Sequence, residues 1–138
     1  MYCAFIRRAS LLPMTERLAE ARRRLIALYA AATWLPVNPD GGDVEAPRVE
    51  ALANPPEFGD RDFYWEVFDP YELTEPVGGS LSDDLYDVYR DLQRGLVLWD
   101  AWHRVEALWQ WRFHFDAHWG DHVVDALRAL HRACNPMR

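Results

Sequence analysis

Hydrophobic positions along the chain fall into three long helical patterns. Between Met14 and Trp34, Leu18, Ala21, Leu25, Leu28, Tyr29 and Ala32 recur at steps of three and four, the spacing of one helix face. Ser10 or Thr15 is placed to cap that helix, and Pro36 stops it. From Ser80 to Trp99 the apolar face is Leu81, Leu85, Val88, Tyr89, Leu92, Leu96 and Trp99. Ser80 and Asp83 approximate a capping box, and Asp83 and Asp84 put negative charge at the positive end of the helix dipole. After a turn around Asp100 to His103, one stripe runs from Val105 through Leu108, Phe115, Trp119, Val123 and Leu130 to Cys134. Unbroken, that helix would be about 45 Å long. Gly120 costs about 1 kcal/mol relative to Ala inside a helix, so a bend or a close helix contact is expected there, with Asp121 recapping. Asn135-Pro136 ends it.

The remaining segments are shorter or irregular. Tyr2 to Ala9 suits one or two helical turns, broken by Ser10 and Pro13. Val37 to Asp62 is rich in Pro, Gly and Asp and reads as a long loop, with a short helix expected from Pro47 to Ala53. Phe63 to Phe68 (FYWEVF) is compatible with either strand or helix. Asp69-Pro70 marks a turn, and Glu72 to Gly79 continues as loop. These elements predict an all-α fold: a small antiparallel bundle of four to five helices in one domain over residues 1–138, with the Pro/Gly-rich loop and FYWEVF packed across one side.

Composition narrows the partners. The net charge is -7, which excludes the basic footprint of a nucleic-acid binder and argues against a basic membrane-surface helix. The longest uncharged run, Leu25 to Pro39, contains two prolines and is too short to span a bilayer. No targeting segment precedes the first helix, and Cys3 and Cys134 fit no zinc spacing, so a cytoplasmic chain with free thiols is expected. All fifteen basic residues are Arg, which matches a compositional bias towards Arg and Ala. The run Arg22-Arg23-Arg24 reads as a solvated face before an anion site.

One constellation carries candidate chemistry. His114, His118 and His122 climb one helix face at four-residue steps, and His118 with His122 has the spacing that lets two imidazoles reach one metal. Asp125 follows three residues on, and Asp84, Asp87 and Asp91 share a face of the preceding helix, so a divalent site on His118, His122, Asp125, Asp84 and Asp87 is one reading. Against it, four aspartates at a helix start make a solvated cap, and residue 119 is Trp where an H-E-x-x-H site has its Glu. Without such a site no cofactor is expected. No nucleophile elbow, P-loop or dinucleotide fingerprint occurs. Arg112 falls on the apolar stripe and needs a partner, expected among Glu66, Asp69 and the helix aspartates; otherwise it is an anion-binding residue beside Trp111 and His114. Trp111 and Phe113 lie off the stripe, so either FYWEVF covers them or they form a partner surface.

The segment FYWEVFDPYELTEPVGGSLSDDLYDVYRDLQRGL, with EALWQWRFHFDAHWGDHVVDALRALH, resembles an uncharacterised bacterial family, domain-of-unknown-function family 5063, over residues 63–131. On that resemblance the chain opens inside its first helix. The resemblance implies a small, mainly helical bacterial protein and transfers no activity or site residue. The functions left open are a non-catalytic binding or protein-interaction module, with a protein partner or a homodimer behind its aromatic face, and a metal-binding protein or metal-dependent hydrolase built on the His/Asp cluster.

Overall fold

The computed structural model describes residues 1–37 and 39–135. It is mostly helical: α1 (Tyr2–Arg8), α2 (Met14–Ala32), α3 (Leu81–Asp100), α4 (Arg104–His114) and α5 (Gly120–Cys134). The fold is not purely α, because FYWEVF resolves as a strand. β1 (Phe63–Glu66) pairs antiparallel with β2 (Val77–Ser80), Phe63 opposite Ser80 and Glu66 opposite Val77. The loop read from Glu72 to Gly79 thus ends in a strand, which Val77-Gly78-Gly79-Ser80 does not announce because its strand propensity is low. Its two glycines leave room for the rings of Phe63 and Tyr64, which a Cβ at either position would strike.

Helix α3 begins where its sequence said. Ser80 is the N-cap, and its hydroxyl accepts from the Asp83 backbone N–H at 3.3 Å. Asp62 completes the entry by accepting from the Ser80 hydroxyl and the Ser82 N–H. The β-hairpin is thereby fixed to the start of α3. Helix α3 packs on α4 and α5, while α2 packs on α5 and α1 on α3. The core they enclose includes Phe5, Ile6, Leu25, Leu85, Trp119 and Val123.

Three local expectations are corrected. Residues 47–53 form no helix; the Leu52 N–H goes to the Tyr86 hydroxyl, so this stretch runs extended along α3. It is held further on by Phe58, which is fully buried. FYWEVF does not cover Trp111 and Phe113. Trp111 lies against α3, its indole N–H donating to the Leu92 carbonyl and its ring stacked on Trp99 over the flat surface of Gly95. Phe113 is half exposed and stacks on Trp109, which Gly41 and Gly42 of the long loop approach closely. Finally, the break at Gly120 is not a recapped bend but a single π-helical turn, Phe115–Trp119, joining α4 to α5 without interruption. The Gly120 N–H reaches back to the Phe115 carbonyl, and a Cβ there would lie 2.4 Å from that oxygen. Glycine is what lets the wider turn close. The helix stop expected at Pro136 lies outside the described residues.

Among the described residues no helix is long and apolar enough to cross a membrane. Both thiols, Cys3 and Cys134, are free.

Candidate functional site

Helices α3 and α5 bring together residues that lie about thirty positions apart. His118, at the end of the π-helical turn, and His122, one turn into α5, face the aspartates of α3. His118 Nδ1 lies 2.6 Å from Asp91 Oδ2, and His122 Nδ1 lies 2.6 Å from Asp84 Oδ1. Both carboxylates are buried, so each must be satisfied by the protein. An ionised carboxylate only accepts, so each imidazole carries a proton on Nδ1 and turns its Nε2 towards the other ring. The two Nε2 atoms are 3.1 Å apart. Asp87 Oδ2 stands 3.5 Å from His122 Nε2. Two nitrogen lone pairs at that separation repel unless a proton or a cation lies between them.

Among the described residues, Asp87, His118 and His122 form the group whose ligand atoms all fall within 4.8 Å of one another. The two separations at His122 Nε2, 3.1 Å to His118 and 3.5 Å to Asp87, are close to those around a metal. With bonds of about 2.1 Å, adjacent ligands of a tetrahedral or octahedral ion lie about 3.0–3.4 Å apart. Two histidines and one carboxylate, with further positions open, form a recurrent donor set for divalent first-row metals. The hydrogen bonds from Nδ1 to Asp84 and Asp91 are the outer-sphere contacts that such ligands need to hold tautomer and ring orientation. His118 is partly exposed, so the open side faces solvent.

The aspartates are tied in turn. Asp91 Oδ1 accepts from Arg94 at 3.0 Å, and Asp87 pairs with Arg90. Asp84 Oδ2 accepts from the Tyr64 hydroxyl, which also reaches Glu66 at 3.2 Å. Burial pushes the Asp84 carboxyl above the usual carboxylate range, opposed by donation from His122 and Tyr64. Asp84 in turn pushes the His122 imidazole up, against its own burial. Tyr64 is held well above a normal phenol by burial and by Asp84, so it stays a neutral donor.

The five proposed ligands therefore separate. His118, His122 and Asp87 converge, Asp84 orients His122 from behind, and Asp125 turns towards a different cleft. That cleft, about 590 Å³, lies between β1 and α5 and is lined by Tyr64, Trp65, Glu66, Asp125, Arg128 and Arg132 among others. Burial and the neighbouring Glu66 carboxylate push Asp125 up to about 7. Its folded form thus holds a proton that the unfolded chain loses above about pH 4, and stability contributed by Asp125 falls as pH rises through 7. The site is partly open, so screening keeps the effect near 1 kcal/mol. Asp125→Asn should flatten the loss of stability between pH 5 and pH 8, read by urea denaturation at both. An unchanged pH slope would remove Asp125 from that account.

His114 takes no part in the convergence. Its Nδ1 bonds the Gln110 carbonyl at 2.9 Å and its ring sits against Trp109 and Phe113, because the π-helical turn offsets everything before it from His118. Arg112 finds none of its expected partners. It pairs with Asp116 one turn on and donates to the Leu35 carbonyl at 3.1 Å, tying the end of α2 to α4. Trp111 is packed between helices as described above. Tyr64, Arg90 and Arg94 were missed from the sequence, and Glu66, expected beside Arg112, stands instead beside Tyr64 and Asp125. The arginines had a visible signal, each three residues after a site aspartate; Tyr64 had none.

A family model described as "Domain of unknown function (DUF5063)" matches residues 1–134, well beyond the segment that first suggested the resemblance. No curated protein matches the chain. The crystal structure of protein BF1032 from Bacteroides fragilis is similar to it with a TM-score of 0.76 at 22% identity, covering 99% of this chain and 87% of that one. At that identity the likeness concerns the fold.

Proposed function

We propose that this chain, which belongs to the DUF5063 family, binds one divalent first-row transition metal through His118, His122 and Asp87. The observation that carries this is the pair of Nε2 atoms 3.1 Å apart, each imidazole held from behind by a buried carboxylate. A cation at that place would take over from the proton that otherwise has to lie between the two nitrogens. Three protein ligands leave coordination positions for water or a substrate, and an ion so placed lowers the pKa of a bound water and polarises an oxygen ligand. The chemistry that suits it is metal-assisted hydrolysis or ligand binding at a metal. A reducing cytoplasmic setting suits the free thiols. Elemental analysis of untagged protein, together with calorimetric titration of metal-free protein with zinc and manganese, tests this. About one metal per chain supports the assignment. No metal after purification and no binding at micromolar concentration removes it.

A second role rests on a separate surface. Trp65, Phe68, Tyr71 and Leu73, on and beyond β1, are mostly exposed and form an apolar run on the hairpin. An exposed run of this kind suits a protein partner or a second copy of the chain. Light scattering at increasing protein concentration, with Trp65→Ser as control, checks for self-association.

A further inference from the structure

Behind the histidine pair, on the flank of α3, lies an open cavity of about 390 Å³ lined by Arg48, Glu50, Tyr86, Arg90 and Arg94. Three guanidinium groups border it against one carboxylate. Two of them connect it to the histidines by parallel relays one helical turn apart. Arg94 donates to Asp91, which holds His118; Arg90 pairs with Asp87, which faces His122. The third, Arg48, comes from the extended loop segment and touches neither aspartate. The Arg90 Nε is buried and has no hydrogen-bond partner, so this guanidinium is only partly satisfied by the fold. Its head lies over the ring of Tyr86, which also lines the cavity, at 5.1 Å.

From this arrangement we infer that the cavity binds the phosphoryl group of a small phosphorylated molecule, and that metal at the neighbouring site strengthens that binding. The inference rests on the metal assignment above. The ligand class follows from the donors. A lone carboxylate is satisfied by one guanidinium fork, whereas three arginines around one space match the three terminal oxygens of a phosphate monoester dianion. The volume admits the phosphoryl group with a small organic remainder. The coupling follows from charge. Without metal, Asp87 neutralises Arg90. A divalent ion on Asp87 takes up that negative charge and leaves Arg90 free to act on the cavity. Linkage is reciprocal, so the phosphoryl ligand tightens metal binding by the same factor.

The test titrates methylphosphonate into the full-length protein, metal-free and zinc-loaded, with acetate as a comparison anion. Zinc loading is expected to tighten methylphosphonate at least fivefold, and Arg48→Gln to weaken it about tenfold while zinc affinity stays unchanged. Circular dichroism confirms the variant is folded; Arg48 is exposed, and the described contacts of the core do not use it. Equal methylphosphonate affinity in Arg48→Gln and wild type would mean the anion sits on the metal alone and would overturn the cavity. Acetate binding as tight as methylphosphonate would overturn the ligand class. If zinc does not bind at all, the metal assignment fails. In that case methylphosphonate binding that depends on Arg48 keeps the cavity and overturns the coupling, while no binding overturns both.

Discussion

Substituting alanine for His122 is expected to weaken zinc or manganese binding by about 100-fold or more, with the fold retained. Loss of even an outer-sphere partner of a metal ligand costs about 10–100-fold, so loss of a ligand should reach at least the upper end of that range. His118→Ala should behave alike. The informative result is the graded series. Asp84→Asn and Asp91→Asn remove the anchors and not the ligands, so each should cost an intermediate factor of about 10–100. Asp125→Asn should cost little, because Asp125 faces the cleft beside Glu66. Calorimetry on the five proteins reads the series. If Asp125→Asn matches His122→Ala, or if His122→Ala binds as tightly as wild type, the ligand assignment is wrong.

The second large effect concerns the joint between α4 and α5. Trp119 is 1% exposed and its indole N–H donates to the Trp111 carbonyl at 3.2 Å. Trp119→Ala should lower unfolding stability by about 3–5 kcal/mol, the range for emptying a large buried aromatic site. Urea denaturation followed by far-UV signal measures this; a loss below about 1 kcal/mol would show that the site repacks or that the ring is not buried in solution.

Much of the helical frame was readable because its periodic stripes are long and their ends are chemically marked. Ser80 caps α3 as its type suggests, accepting from the Asp83 backbone N–H, and His118 and His122 were visible as an i, i+4 pair. Which aspartates would be ligands was not readable. Asp84, Asp87 and Asp91 share one face, and their division into one proposed ligand and two histidine anchors depends on how far α3 slides along α5, a tertiary quantity with no local signature. Asp125 looked equivalent by spacing, yet the hairpin supplies Glu66 on its side of α5 and draws it into another environment. The hairpin itself was half hidden, since a strand of Val77, two glycines and Ser80 exists only through the partner it pairs with. Arg48 was beyond reach for the same reason: its loop has no period, and only the Leu52 to Tyr86 hydrogen bond shows where it lies.

The one wide turn between Phe115 and Trp119 has a broader meaning for how this molecule is assembled. In a regular helix, at about 3.6 residues per turn, Trp111 and His122 lie about three full turns apart and would share nearly one face; the wide turn breaks that phase and rotates everything after it. The additional residue works as a vernier: it resets the phase of the rod midway, so that one continuous element meets α3 first with an oily surface and then with a polar one. Removing one residue from that stretch would therefore turn every side chain after it relative to α3.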